Sequence, residues 1–519
     1  MSRLIQVALI WLASMGAVGA TGIPVLTYHD IAETRGADAY AVTPADFRRH
    51  LQYLRNQNYV PINLKRLIDA QEGRAALPEK PVLLTFDDGL ESYAKVALPL
   101  MREYGYPSVL AIVTSWLDGR SISETYHGRQ LNWDDLRKLK SDPLVEIISH
   151  SDNLHRGIRS NLQGNVAPAG ITRLYIEKAE RYESETEYRE RIRADLTHTR
   201  DRIVAELGRV PEAIAWPFGK FNQTLIDEAA RVGMRYHLTL EDSPNALETM
   251  PQINRGTFYK YRRLQDLDDI LTHRKYLNRQ YRFVEVSLDP FAGKSFAEQE
   301  RILSKLLSRL QLLRVNAVVI SPFTRDFRKA FFRNTLIPVD TDLLNRVLHQ
   351  IQSRLLINYL CLKLPATLGS ARGEELYTDL ARLNEIHAVM LTGSVPRDEL
   401  KLLIPMFRHA NPMVHIGLPL SFKDNREVDF HFVTLAANQS DKDIVRLANE
   451  ALSVNKPVFF ILERFDDTSV NKMTSAMRAL RSAGAWHYGY DNDDFVTDSP
   501  PLMQIVPELI SHAIRLQSR

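Results

Sequence analysis

The sequence is nearly without cysteine: Cys361 is the single one in 519 residues. No intramolecular disulfide can form, no disulfide-linked partner is expected, and no cysteine-rich metal site is possible. Any metal must rest on histidine and carboxylate. An excess of one charge is also missing. Lys+Arg 66 against Asp+Glu 63 leaves +3, with no long basic run. That argues against nucleic acid as the main partner, because phosphate binding needs a concentrated basic face. Low-complexity tracts and short repeats are absent. Hydrophobic residues at 45% and charged residues at 25% exclude a disordered or collagen-like chain. The length allows about two to four domains.

Long apolar runs are scarce as well. The one such stretch, Leu4 to Val18, follows Met1-Ser-Arg3 and contains Gln6. Small residues at Val18-Gly19-Ala20 end it. A basic start, a short apolar core and small residues at the end make residues 1–20 a signal peptide. The alternative is an uncleaved anchor, for which the stretch is slightly short of a ~20-residue span. No cysteine follows, so a lipoprotein N-terminus is excluded. The expectation is a bacterial protein, periplasmic or secreted after cleavage.

What is present is an alternation of strand and helix patterns. Ile23–Thr27, Val82–Thr85, Val109–Val113, Val145–Ile148 and Ala213–Ala215 read as strands. Helices are expected at 44–57, with Phe47, Leu51 and Leu54 at helical spacing, and at 92–104. Tyr188, Ile192, Leu196, Ile203 and Leu207 mark a long amphipathic helix, with Glu187 and Arg191 as an i,i+4 pair on its solvated face. Such alternation implies an α/β fold with a parallel sheet or barrel. The chain changes character near residue 275, and the polar stretch Thr272–Gln280 reads as a linker. Beyond it lie eight strand-like segments: Phe283–Ser287, Ala317–Ile320, Asn358–Leu362, Ala388–Leu391, Val414–Gly417, His431–Thr434, Val458–Leu462 and Trp486–Gly489. Helical patterns fill most intervals, as a TIM-like (β/α)8 barrel requires.

Four clusters at strand ends can do chemistry. Thr85-Phe86-Asp87-Asp88-Gly89 puts two carboxylates side by side where the chain leaves a sheet. One can hold a metal while the other addresses water, although helix capping explains such a pair equally well. His150 and His155 stand five apart, about 140° on a helix, so they share a metal only in a loop. Neutral imidazole suits Zn²⁺ and related ions. Tyr28-His29-Asp30 offers a general acid, with Asp30 able to orient the ring. Trp216-Pro217-Phe218-Gly219 offers aromatic walls for sugar stacking, and Trp133 either another wall or core. All four lie at carboxyl ends of strands, the functional edge of such sheets. One Asp and two His leave room for water on a metal. A second Asp can act as base and a loop His can protonate the leaving group. That is a kit for metal-assisted hydrolysis of an amide or ester.

The Thr85–Gly89 segment and the His150/His155 pair resemble the polysaccharide deacetylases of carbohydrate esterase family 4. The early Tyr28-His29-Asp30 is similar to the circularly permuted branch. With the segment Ser149–Gly157, the chain most resembles the poly-β-1,6-N-acetyl-D-glucosamine N-deacetylases of biofilm-forming bacteria. The resemblance covers roughly Ile23 to Tyr276. It implies a NodB-like deacetylase domain over 21–275, a distorted (β/α) barrel. It implies that Asp88, His150 and His155 bind one divalent metal ion, with zinc the first choice and cobalt, nickel or iron also fitting. Asp87 would be the general base and His29 the general acid. Tyr28, Trp216, Pro217, Phe218 and Gly219 would bind substrate, and a backbone N–H of that turn would stabilise the oxyanion. The implied activity is that of a hydrolase of carbon–nitrogen bonds other than peptide bonds. Its partners would be poly-N-acetylglucosamine and an outer-membrane export porin.

Residues 281–519 resemble, more weakly, the C-terminal barrel of two-domain members, through Arg333–Val339 and Ala485–Tyr490. Glycoside hydrolysis needs paired carboxylates. The segments after the third and fourth strands, Leu362–Thr367 and Leu391–Ser394, carry none, and the barrel reads as shortened. A glycan-binding barrel without hydrolysis is the expectation, tempered by Glu463, Asp466 and Asp467 after the seventh strand. Two other functions compete with the leading one: a deacetylase of peptidoglycan or chitin-like chains, and a non-catalytic glycan-binding export scaffold.

Overall fold

The computed structural model describes residues 22–33, 39–123, 125–126, 129–258, 263–355, 357, 359–436, 439–463, 470–501, 505 and 507–508. Residues 1–20, expected from sequence to be a signal peptide, and Asn358, Asp466 and Asp467 lie outside these residues. The chain divides into two compact units. The first holds the described residues up to Ile158, with Pro168–Ile171 and Glu183–Asn278. The second holds Arg159–Ala167, Thr172–Tyr182 and the described residues from Arg279 on.

The first unit is built on a nine-stranded parallel sheet. Its strands are β1 (Val25–Tyr28), β2 (Val60–Ile62), β3 (Pro81–Phe86), β4 (Ser108–Ile112), β5 (Val145–Ser149), β6 (Ala213–Ala215), β7 (Tyr236–Leu238), β8 (Gln252–Ile253) and β9 (Gly256–Thr257). The order is β8-β7-β6-β5-β4-β3-β1-β9, with β2 also paired to β3. Buried on both faces, β3 and β4 are continuous apolar runs, as parallel strands between helices must be. The register Tyr28↔Phe86, Phe86↔Leu110 and Ile112↔Ser149 brings the carboxyl ends of β1, β3, β4 and β5 to one edge.

Local chemistry accounts for the main helices. Helix α1 (Pro44–Asn56) starts with Thr43 as cap and Pro44 in its first turn, and buries Phe47, His50, Leu51 and Leu54. Helix α2 (Glu185–Leu207) opens with a capping box of Ser184 and Glu187 and stops at Gly208, φ 78°. It buries Tyr188, Ile192, Leu196, Ile203 and Leu207, the spacing read from sequence. Glu187 serves the cap at the start of this helix, and Arg191 binds Glu183. The expected helix at 92–104 is a π turn (Tyr93–Ala97) followed by Leu98–Arg102. Pro99 has no N–H for the carbonyl one turn back, so the regular ladder widens there.

The second unit is a closed barrel of eight parallel strands. They are β10 (Arg282–Ser287), β11 (Ala317–Ser321), β12 (Leu360–Pro365), β13 (Ala388–Thr392), β14 (His415–Pro419), β15 (Phe430–Ala436), β16 (Val458–Glu463) and β17 (His487–Tyr490). Each falls on one of the eight segments read from sequence. Tyr281, Phe283, Tyr359, Cys361, Met390, Phe430, Phe432 and Phe459 cluster as one buried group. Above them Lys363 Nζ meets Glu285 Oε2 at 2.8 Å. The two segments drawn from the earlier part of the chain are bonded within this unit. Tyr182 Oη donates to Asp342 Oδ2 at 3.0 Å, and Asn161 Nδ2 to Asn345 Oδ1 at 2.8 Å. Among the described residues no helix is long and apolar enough to cross a membrane.

Candidate active site

The end of β3 makes a sharp turn. Asp88 sits at φ 74° and Gly89 at φ 62°. Asp tolerates the left-handed region better than most residues. At Gly89 an added Cβ would press to 3.2 Å from Ile112. The turn sends the two carboxylates to different partners. Asp88 Oδ1 lies 3.5 Å from His150 Nε2 and 3.3 Å from His155 Nε2. Ligand atoms of these three residues lie within 4.8 Å of one another. The expected loop between the histidines exists, and Ser151 at φ 71° is part of its bend.

Three features fit this cluster to a metal ion. The donors are two imidazoles and one carboxylate, a set that leaves an open position for water. His150 Nδ1 bonds the Ala215 carbonyl at 2.7 Å, which orients the ring and leaves Nε2 towards Asp88. Burial pushes both histidines down to about 4, so their nitrogen lone pairs are free of protons at neutral pH.

Asp87 turns the other way and meets Arg255. Arg255 Nη1 donates to Asp87 Oδ1 at 2.8 Å and Nη2 to Oδ2 at 2.9 Å. Nε of the same guanidinium donates to the Thr239 carbonyl at 2.8 Å. Burial works against ionisation of Asp87, but Arg255, with His150 and His29, holds its carboxyl well below the usual range. Arg255 was not among the residues singled out from sequence. It sits in Asn254-Arg255-Gly256, between two strands of two residues each, where no motif marks it.

His29, at the end of β1, is near enough to act electrostatically on both Asp87 and His155. Its ring packs on Tyr40 at 4.7 Å between centroids. Asp30 is ion-paired with Arg129, and that is where its carboxylate is engaged. Around His155 stand Phe218 at 4.6 Å and Trp116 at 5.0 Å between centroids. Phe218 is 43% exposed and sits at φ 59°.

The structure places the remaining residues expected to face substrate as follows. Tyr28 is fully buried, stacked on Phe258 at 4.8 Å and bonded through Oη to His50 Nδ1 at 3.1 Å. Side chains alternate along a strand, so Tyr28 points into the core while its neighbour His29 reaches the site. Trp216 is also buried, stacked on His237 at 5.7 Å. Pro217 is buried with it. Gly219, φ 68°, has no room for a side chain, since a Cβ would stand 2.5 Å from Leu240 Cβ. Of this motif, Phe218 alone presents an exposed ring. Trp133 is core, its Nε1 donating to Asp118 Oδ1 at 2.8 Å.

Comparison with known proteins bears on this site. A family model described as polysaccharide deacetylase matches residues 74–237, which include Asp87, Asp88, His150, His155 and the Trp216 turn. A poly-β-1,6-N-acetyl-D-glucosamine N-deacetylase of Escherichia coli is 27% identical over 352 residues, 65% of this chain and 52% of that protein. The chain thus spans about half the length of the curated relatives it matches. A solved de-N-acetylase from Aggregatibacter actinomycetemcomitans is 31% identical, covering 48% of this chain and 99% of that one, with a TM-score of 0.45. The deacetylase domain of BpsB from Bordetella bronchiseptica is 33% identical, covering 46% of this chain and 96% of that one, with a TM-score of 0.41. By the matched family model and these identities, the chain belongs to the polysaccharide deacetylase family.

Proposed function

We propose that the protein is a metal-dependent N-deacetylase acting on exported poly-β-1,6-N-acetyl-D-glucosamine. One observation carries the reading. A carboxylate kept ionised by Arg255 stands beside a second carboxylate that shares a three-residue cluster with two neutral histidines. The name of the Escherichia coli relative supports the substrate.

In this reading Asp88, His150 and His155 hold the ion, for which zinc is the best fit and cobalt, nickel or iron are acceptable. When bound, the ion supplies a Lewis acid and lowers the pKa of water at its open position to about 7. Asp87 accepts a proton from the attacking water. His29 gives a proton to the amide nitrogen as the C–N bond breaks. One acetyl unit leaves as acetate and the sugar keeps a free amine. The oxyanion falls to the Phe218 N–H. Pro217 has no N–H, and the amides of Trp216 and Gly219 are already bonded to the Leu238 and Trp216 carbonyls. Phe218 and Trp116, whose rings flank His155, offer faces for a sugar ring.

The barrel is read as a glycan-binding module without hydrolysis. Its first-strand acid, Glu285, is paired with Lys363 from the third strand, whereas cleavage needs two carboxylates flanking the bond. Residues 1–20 are read as a leader that takes the chain to the bacterial periplasm, where an outer-membrane porin would receive the product.

The test is to incubate residues 21–519 with β-1,6-linked N-acetylglucosamine oligomers, with and without chelator. Free amine and chain length are measured together, with Asp87→Asn as the control. Expected are chelator-sensitive amine release, intact chains and loss of about 10²–10⁴ in rate for Asp87→Asn. Chain shortening overturns the silent barrel. Reaction with chitin or peptidoglycan fragments alone overturns the substrate. Full activity of Asp87→Asn overturns the mechanism. Polymer binding with no turnover favours the export scaffold.

A further inference from the structure

The loop between the two histidines is fastened on two sides. Towards the end of β4, the His150 N–H donates to the Ile112 carbonyl at 2.8 Å and the Thr114 N–H to the Ser151 carbonyl at 3.2 Å. The Asp152 carboxylate there accepts from Thr114 Oγ1 at 2.6 Å and Arg120 Nη1 at 3.1 Å. On the other side helix α2 does the fastening: Thr199 Oγ1 lies 3.0 Å from Ser149 Oγ, which accepts from the Ser151 N–H at 3.0 Å. Asp195, midway along α2, accepts from the Asp152 N–H through Oδ1 at 3.0 Å and from the Asn153 N–H through Oδ2 at 2.7 Å.

These two amides belong to adjacent residues midway between His150 and His155. A single rigid carboxylate that takes both leaves the intervening peptides little freedom. The bend also contains Ser151 in the left-handed region, a conformation that a non-glycine residue keeps only when its surroundings hold it. The helix that carries Asp195 is itself well anchored, with six buried side chains along its length.

We propose that Asp195 is a positioning residue of the metal centre. By clamping the amides of Asp152 and Asn153 it sets the separation of the His150 and His155 ligand nitrogens. This rests on the metal-site reading above and deepens it. Asp195 touches neither ligand nor substrate, so its effect must pass through the loop. Partners that orient metal ligands typically cost ~10–100-fold in metal affinity when removed.

The experiment uses residues 21–519 with Asp195→Asn and Asp195→Ala. Cobalt is titrated into chelator-stripped protein and followed by its visible absorption. Unfolding of the stripped protein is measured alongside, with kcat and KM on the oligomers. Expected is cobalt binding ~10–100-fold weaker, with a changed ligand-field band. The Asn variant, which keeps one acceptor oxygen, should be the milder, and kcat should fall more than KM changes. Asn carries the test if Ala does not fold. A lower melting temperature with unchanged cobalt affinity and spectrum overturns the proposal, since that is what a purely structural role gives. Wild-type protein that binds no cobalt overturns this and the metal site together. Wild-type protein that binds cobalt but releases no amine removes the deacetylase reading, and the cobalt spectra still decide Asp195.

Discussion

Arg255 reaches Asp87 across 168 residues of sequence, and the pair explains how a carboxylate with 2% exposure stays charged. Without the guanidinium, burial alone would push Asp87 up. Arg255→Met should therefore move the acid limb of the amine-release profile to higher pH and lower the rate, with metal content unchanged. It should also destabilise by about 3–5 kcal/mol, because a buried charge loses its partner. A pH–rate profile with thermal unfolding of the same variant checks both. An unmoved acid limb rejects Asp87 as the titrating base. At this scale the acids and histidines stood out in the sequence as clusters at strand ends, but helix capping competed equally for the Asp-Asp pair, and only the fold brings ligand atoms of Asp88, His150 and His155 within 4.8 Å of one another. Which ring faces the site was not legible. Tyr28 and His29 are adjacent, and only the pleat of β1 decides which one is core.

At the scale of elements, the barrel closes because glycine stands where strands and rings approach most tightly. At Gly489 on β17 an added Cβ would lie 2.0 Å from the Phe283 carbonyl oxygen on β10, and at Gly417 on β14 2.3 Å from the Phe430 ring. Both contacts are inside the closure of one sheet. Gly489→Ala should cost at least about 1–3 kcal/mol, read as a lower denaturant midpoint of the second unit's transition, with the deacetylase cluster unaffected in cobalt binding. A wild-type midpoint would mean that β10 and β17 do not meet as described. The eight strands themselves were legible as apolar segments at helix-filled intervals. The strands β2, β7, β8 and β9 were not, being runs of two or three residues with little periodicity, although β6 of the same length was read, and it is the chain between β8 and β9 that delivers Arg255.

On the scale of the whole molecule, several histidines are buried as neutral rings. Burial pushes His50, His237, His273 and His487 down to about 4, against about 6.5 in an unfolded chain. Between these values the unfolded state binds more protons than the folded one. Stability is therefore fully present above about 6.5 and is lost as pH falls towards 4, by about 1.4 kcal/mol per histidine per unit. Urea unfolding of chelator-treated protein at pH 7.5, 5.5 and 4.5 should give steadily lower midpoints. A flat series across that range would mean that these rings are hydrated and charged.

The sequence by itself marked the candidate residues and the periodicities. Asp87, Asp88, His150, His155 and His29 are written in short local motifs. The α/β class follows from alternating apolar strands and 3.6-residue helical stripes, each a property of neighbours in the chain. Tertiary structure alone decided the rest. It gave Asp87 to Arg255 and gave the amides of Asp152 and Asn153 to Asp195. It sank Tyr28 and Trp216 into the core while leaving Phe218 outside. It also assigned Arg159–Ala167 and Thr172–Tyr182 to the second unit. The physical reason is common to all of these. Each depends on where a parallel strand order brings residues far apart in the chain, and that order is set by burial of the whole sheet rather than by any local pattern.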